Sequence, residues 1–264
     1  MNNKIILVAG DPNSINSEII FKAWKKLNKN TQKKIYLVGN FNLLSKQFKK
    51  LKYRIKMTKI KDIKFNNNSN ELKIIDVPIK FGNPFKVNLK ESSNYVLKSL
   101  NLAHYLIKKK YAKAIINCPI NKKLIQKSKK VGVTEFFASK CKIKDSSEIM
   151  FIHNKNFSVV PLTTHFDIKN VTKNISQTKI NKKMITLNRE FKKLFKFKPK
   201  IGVLGLNPHN SELKKNSEEV KIIIPSILKL KKKGLKIDGP LVADTLFINN
   251  YKSYNVVVGM YHDQ

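Results

Sequence analysis

The sequence contains little cysteine and no long apolar run. Its two cysteines, Cys118 and Cys141, form no CxxC pair and no disulfide framework. The longest apolar runs are far too short to span a membrane. The first residues, MNNKIILVAG, lead directly into a strand pattern, without a basic leader and cleavage site. These absences argue against a disulfide-rich secreted protein and a transmembrane protein, and we expect a cytoplasmic location.

Acidic residues are scarce, since 17 Asp and Glu stand against 54 Lys and Arg, for a formal net charge of +37. The lysines are scattered over the predicted helices and loops, and no zinc-finger, RRM or KH signature accompanies them. We therefore interpret them as solvated faces and expect neither a nucleic-acid nor a membrane partner, although the charge would help to attract a phosphorylated substrate.

Two glycine-rich motifs are also missing. No GxGxxG follows the first strand pattern and GxxxxGK[ST] occurs nowhere, so neither a standard Rossmann site nor a P-loop is supported. What is present is an alternation of strand and helix patterns, which indicates an α/β protein with a largely parallel sheet. Strands are predicted at 4–9, 34–39, 72–77, 114–117, 148–152, 157–162, 201–206 and 255–260, and helices at 17–27, 41–51, 92–109, from 134, 168–175, 179–195 and 218–232. The predicted helix caps are Asn16 or Ser17, Thr134 and, at the end of the 218–232 helix, Gly234, and residues 239–245 are predicted as a turn that leads to a short helix.

Three of the five histidines follow apolar, strand-like runs: His165, His209 and His262. If these runs are parallel neighbours, their imidazoles share the carboxyl edge of one sheet, where ligands of α/β proteins bind. Three neutral imidazoles with an open position suit a zinc-like divalent metal. The alternative is that each histidine caps its own strand with a hydrogen bond. His153 lies in a predicted hairpin turn at the opposite end of the sheet, and His104 on a helix, so neither joins the group.

Seven segments, taken together, resemble the 4-hydroxythreonine-4-phosphate dehydrogenase (PdxA) family. In family order they are GDPNSINSEI (Gly10–Ile19), NCPINKK (Asn117–Lys123), TEFF (Thr134–Phe137), TTHFDIKNV (Thr163–Val171), GLNPHNSE (Gly205–Glu212), GPLVADTLF (Gly239–Phe247) and MYHDQ (Met260–Gln264). The resemblance implies two α/β/α domains of the isocitrate/isopropylmalate dehydrogenase type, which we place at residues 1–125 and 126–264.

The resemblance also implies a homodimer and an NAD-dependent oxidation in pyridoxal phosphate biosynthesis. The divalent metal (zinc, magnesium or cobalt) would be held by His165 and His209 of one subunit and by His262 of the partner subunit. Asp244 and Asp263 fall on polar positions of the catalytic site, although Asp244 could equally cap the turn that follows it. The NAD-contacting residues are not identified.

The substrate position carries a departure from the family. Thr134 matches a substrate-binding residue. Val133, however, stands where the family has a histidine that contacts substrate, and the valine side chain cannot form a hydrogen bond. Besides 4-phosphohydroxy-L-threonine, a related phosphorylated hydroxy acid such as threonate or erythronate phosphate therefore stays open. A third alternative is a basic binder of nucleic acid or anionic surfaces on a decayed scaffold.

Further departures are Ser14, Asn16 and Cys118 in place of family glycines, and Asn121 in place of a histidine. The chain also stops directly after its last predicted strand, where the family continues with further substrate- and cofactor-binding residues. We therefore expect a truncated sequence that oxidises its substrate poorly or not at all.

Overall fold

The computed structural model of the 264-residue chain describes residues 3–63, 69–128, 132–141, 143, 147–155, 157–164, 166–249 and 251–264. The chain divides into two compact units, Met1–Lys140 and Cys141–Gln264. The division thus follows Lys140, whereas the sequence analysis places it after residue 125. The difference arises because the short helix that begins at Val133 buries Phe136 in the core of the first unit.

The first unit contains a parallel sheet of five strands with the order β3-β4-β2-β1-β5. Its strands are β1 (Ile5–Val8), β2 (Ile35–Gly39), β3 (Met57–Ile60), β4 (Leu72–Asp76) and β5 (Ala114–Asn117). Alternate residues face opposite sides, so Tyr36 and Val38 enter one apolar cluster while Ile35 and Leu37 enter another. Both faces of the sheet are therefore covered, as in an α/β/α layer arrangement.

The helices of this unit are α1 (Asn16–Lys26), α2 (Lys29–Lys34), α3 (Phe41–Lys50), α4 (Leu89–Lys108) and α5 (Val133–Lys140). Asparagine caps begin three of them: the side chains of Asn28, Asn40 and Asn88 each accept a backbone N–H from the first helical turn. Because α5 begins at Val133, Thr134 lies within its first turn and not at the predicted N-cap.

The second unit contains a mixed sheet with the order β6-β7-β10-β8-β9. Its strands are β6 (Ile152–Asn154), β7 (Phe157–Pro161), β8 (Lys200–Leu204), β9 (Lys236–Leu241) and β10 (Val256–Gly259). All neighbours are parallel except β6 and β7, which form an antiparallel hairpin as predicted. Its first strand, however, covers residues 152–154 and not 148–152, so His153 lies in the strand and not in the turn. Strand β10 lies at the centre and is buried along its whole length, as expected for a strand with parallel neighbours on both sides.

The helices of the second unit are α6 (Ile168–Val171), α7 (Gln177–Phe195), α8 (Ile224–Lys232) and α9 (Ala243–Asn249). One turn of π-helix, Glu219–Ile223, leads into α8. Gly234 follows α8 with a φ of +79°, in agreement with its predicted role at the end of this helix. Among the described residues, no helix is both long and apolar enough to cross a lipid bilayer.

Several local predictions are wrong. Neither Asn16 nor Ser17 caps α1, because the helix begins at Asn16, whose amide instead donates to the carbonyl oxygens of Ala9 (2.9 Å) and Pro119 (2.8 Å). The segment around Gly239 was predicted as a turn but belongs to the edge strand β9, where a proline is tolerated.

Candidate functional site

The carboxyl ends of three strands meet at one edge of the second sheet. Strand β10 pairs in parallel with β7 on one side and β8 on the other, and Val258 lies opposite both Val160 and Val203. The three runs are therefore parallel neighbours, which is the condition under which their histidines would share one edge of the sheet. His209 and His262 follow adjacent strands at this edge, whereas His165 lies outside the described residues.

Side-chain hydrogen bonds tie the three strand ends together. Thr163, after β7, donates its hydroxyl to the carbonyl oxygen of Met260, after β10, at 2.7 Å. The side chain of Gln264 accepts the N–H of Met260 (2.6 Å) and donates to the carbonyl oxygen of Gly205, after β8 (2.6 Å). The loops that carry the predicted metal ligands are thus connected in one hydrogen-bonded row.

A cavity of about 320 Å³ opens at this edge and contains two of the predicted site residues, His209 and Asp244. Its lining consists of Leu206, Asn207, Pro208, His209, Val242, Ala243, Asp244, Tyr261 and Gln264. An imidazole and a carboxylate therefore line one concave surface, which is the arrangement expected of a site that binds and deprotonates a small molecule.

His209 begins a left-handed turn. From His209 to Leu213, five consecutive non-glycine residues have φ between +48° and +56°. Such a conformation costs about 1–2 kcal/mol per residue for L-amino acids, so the surrounding structure must hold it. Asn210 supplies part of that support, because its side chain donates to the carbonyl oxygen of Pro240 at 3.0 Å. Strained backbone of this kind is typical of functional sites.

Glu219 supports the segment that precedes this turn. The residue is completely buried, and its carboxylate accepts the backbone N–H groups of Leu206 (2.8 Å) and Asn207 (2.9 Å). Burial by itself would raise the pKa of the Glu219 carboxyl, but the hydrogen bonds from Asn207 and Leu206 outweigh it and keep the pKa below its usual value. Glu219 is therefore a buried carboxylate anchor for the chain that leads to His209.

Both predicted catalytic carboxylates are on the surface of the second unit. Asp263 Oδ1 lies 2.8 Å from Nδ1 of His262, and their side chains are 89% and 42% exposed. Asp244 lies in the first turn of α9, where its Oδ1 accepts the N–H of Thr245 at 2.8 Å. Asp263 thus contacts a predicted metal ligand, and Asp244 shares a cavity with another.

The donor chemistry of this edge fits a divalent metal, since imidazole and carboxylate groups are the ligands that zinc and related ions take. In the described part of the chain, however, no three His, Cys, Asp or Glu side chains come together as a metal site. The described residues thus supply His209 and His262 as separate donors, each on a loop after a central strand.

The predicted substrate residues belong to the first unit. Thr134 is exposed in the first turn of α5, and Val133 is partly buried against the apolar cluster that contains Phe136. Sequence reasoning missed Glu219 and the two hydrogen bonds by which the Gln264 side chain links Met260 to Gly205. The Ser217-Glu218-Glu219 sequence is typical of a helix start, but nothing in it distinguishes the buried glutamate from its half-buried neighbour.

Comparisons with known proteins agree with the motif pattern. The family described as "Pyridoxal phosphate biosynthetic protein PdxA" matches residues 31–264. The 4-hydroxythreonine-4-phosphate dehydrogenase of Sulfurihydrogenibium sp. (strain YO3AOP1) is 36% identical over 268 residues, which cover 99% of this chain and 80% of that protein. The enzyme of the same name from Aquifex aeolicus is 34% identical and covers 100% of this chain and 81% of the relative.

Among solved structures, a 4-hydroxythreonine-4-phosphate dehydrogenase from Klebsiella pneumoniae superposes with a TM-score of 0.86 at 24% identity, covering 99% of this chain and 82% of that one. This likeness concerns the fold, and it confirms the predicted two-domain α/β architecture.

Proposed function

We propose that this chain, which belongs to the PdxA family of pyridoxal phosphate biosynthetic proteins, oxidises 4-phosphohydroxy-L-threonine with NAD in the cytoplasm. The resulting 3-oxo acid loses CO₂ and yields 3-amino-2-oxopropyl phosphate. The observation that carries the proposal is the edge of the second sheet, where His209 and Asp244 line one cavity beside the end of the strand that leads to His262.

The metal in this proposal is divalent (zinc, magnesium or cobalt) and is held by His165 and His209 of one subunit and His262 of the partner subunit in a homodimer. When bound, such a metal supplies Lewis acidity for a substrate hydroxyl or carbonyl oxygen. The contact between Asp263 and the ring of His262 supports a role for Asp263 in orienting that imidazole.

Asp244 is the proposed proton acceptor. Its carboxylate lines the same cavity as His209, and its hydrogen bond from the Thr245 N–H holds one oxygen in place. The carboxylate of Asp244 would accept the proton of the substrate hydroxyl, and NAD, when bound, would supply the hydride acceptor. The substrate's phosphate is drawn in by the strongly basic chain, whose formal net charge is +37.

A second candidate substrate is a related phosphorylated hydroxy acid. Thr134 would bind the substrate in either case, but Val133 packs partly buried against an apolar cluster and offers no polar group. Val133 therefore provides no hydrogen bond that would favour 4-phosphohydroxy-L-threonine over a phosphorylated hydroxy acid such as D-threonate 4-phosphate.

The test is formation of NADH by the chain with each of the two phosphorylated substrates, in the presence of Zn²⁺, Mg²⁺ or Co²⁺ and after removal of metal. We expect slow, metal-dependent formation that is faster with 4-phosphohydroxy-L-threonine. Asp244→Asn should lower the rate by about 100-fold or more, while Asp238→Asn, on β9, serves as the matched control. Faster turnover of D-threonate 4-phosphate would favour the second substrate, and no NADH from either would contradict the proposed activity.

A further inference from the structure

We infer that Glu219 is a positioning residue for His209, because it fixes the two residues from which the left-handed turn departs. The inference rests on the proposed function, in which His209 is a metal ligand. It adds a residue from a different element, the π-helical turn before α8, to the machinery of the site.

The carboxylate of Glu219 accepts several hydrogen bonds from one short segment. Its Oε1 accepts the backbone N–H groups of Leu206 and Asn207, and its Oε2 accepts the side-chain amide of Asn207 at 3.1 Å. That amide also donates to Glu218 Oε2 at 3.0 Å. Because Glu219 has no exposed surface, water cannot replace these bonds if the carboxylate is removed.

The position of His209 depends on this anchor because the chain between them is short and stiff. Only Pro208, whose ring restricts φ, separates Asn207 from His209. On the other side, the Asn210 side chain is bound to Pro240. His209 is therefore held between two fixed points, one before it and one after it, and loosening either changes where the imidazole stands.

A carboxylate is needed here, and an amide of the same size is not equivalent. All three groups that point at Glu219 from Leu206 and Asn207 are N–H donors, so a carboxylate can accept every one of them. In Glu219→Gln the side-chain NH₂ would meet the NH₂ of Asn207. Turning the Asn207 amide over would relieve this contact, but it would set the amide oxygen against Oε2 of Glu218, which accepts the NH₂ group at 3.0 Å.

The experiment is a titration of the full chain with Co²⁺, followed by the visible absorption of the bound ion, whose bands report the ligand geometry. Glu219→Gln should weaken Co²⁺ binding by about 10- to 100-fold, the range typical of groups that orient metal ligands, and should shift the bands. Glu190→Gln, an exposed glutamate on α7, should match the unsubstituted chain.

The remaining outcomes separate this inference from the proposed function. If Co²⁺ binds and His209→Ala abolishes the binding, but Glu219→Gln behaves like Glu190→Gln, the positioning role is wrong and the metal site stands. If the unsubstituted chain binds no Co²⁺, or His209→Ala leaves binding unchanged, the proposed metal site fails, and the inference with it. Should Glu219→Gln not fold, Asn207→Ala takes its place, because it keeps the carboxylate and removes one donor; unchanged affinity there overturns the positioning role.

Discussion

At the scale of single residues, Lys73 shows how a charged side chain is accommodated without exposed surface. Its Nζ donates to the carbonyl oxygens of Gln32 (3.2 Å), Lys33 (3.0 Å) and Ser69 (3.1 Å), and lies 5.1 Å from the centre of the Tyr36 ring. Burial, with a smaller contribution from the charge of Lys33, lowers the pKa of Lys73 to about 8.

This shift predicts a pH-dependent stability. Above about pH 8 the folded chain releases the Lys73 proton, while the unfolded chain keeps it up to its ordinary pKa of 10.5. The unfolded state then binds more protons, so the free energy of unfolding rises with pH in this window. Between pH 8 and pH 9.5 the gain relative to Lys73→Met should be about 1.5 kcal/mol.

Urea unfolding of both chains at the two pH values measures this difference, and Lys26→Met, an exposed lysine at the end of α1, is the control. A Lys73→Met chain whose stability changes with pH in parallel with the unsubstituted chain would rule out the lowered pKa.

At the scale of secondary-structure elements, the left-handed turn after β8 depends on a glycine beneath it. A Cβ atom built on Gly205 would stand 1.9 Å from Oδ1 of Asn210, whose side chain is buried in the turn. Gly205 also accepts the hydrogen bond from Gln264 that links the ends of β8 and β10. The absence of a side chain at this position therefore leaves the space that the Asn210 side chain occupies in the turn.

Gly205→Ala should consequently displace the turn. We expect a loss of about 1–3 kcal/mol in the free energy of unfolding, the usual cost of overpacking, and weaker Co²⁺ binding at His209. Gly82→Ala is the matched control, because a Cβ there meets nothing within 4 Å. Equal stability and equal Co²⁺ affinity of the two variants would show that the turn does not need the glycine.

The sequence predicted the central strands and most helices, because their apolar patterns are long and regular. It missed α2 and β3, since the first is a six-residue lysine-rich helix without buried residues and the second is a four-residue edge strand with no completely buried position. The strand β9 was missed because Gly239-Pro240 is typical of a turn, and only its pairing with β8 makes it a strand.

In the candidate site, too, some features could be predicted from the sequence and others could not. Histidines at the ends of apolar runs could be recognised from the sequence alone, and the parallel order β7-β10-β8 then placed two of them on adjacent strand ends. The left-handed turn and the buried carboxylate of Glu219 could not be predicted, because both depend on contacts between β8, the turn and the helix that follows it.

At the scale of the whole molecule, the proposed metal site belongs to two copies of the chain. His209 and His262 follow two neighbouring strands of one sheet, and the proposal assigns them to different sites of the dimer. A symmetric dimer with a shared site has two equivalent sites, each built from His165 and His209 of one copy and His262 of the partner subunit.

The most direct test of this arrangement is the Co²⁺ capacity of a mixture of two variants, His209→Ala and His262→Ala, refolded together. Each variant alone should bind no Co²⁺ with wild-type affinity. Random pairing puts both kinds of chain into half of the dimers, and each such dimer keeps one intact site, so the mixture should bind about a quarter as much Co²⁺ as the unsubstituted chain. A mixture that binds no more than its separate components would contradict the shared site.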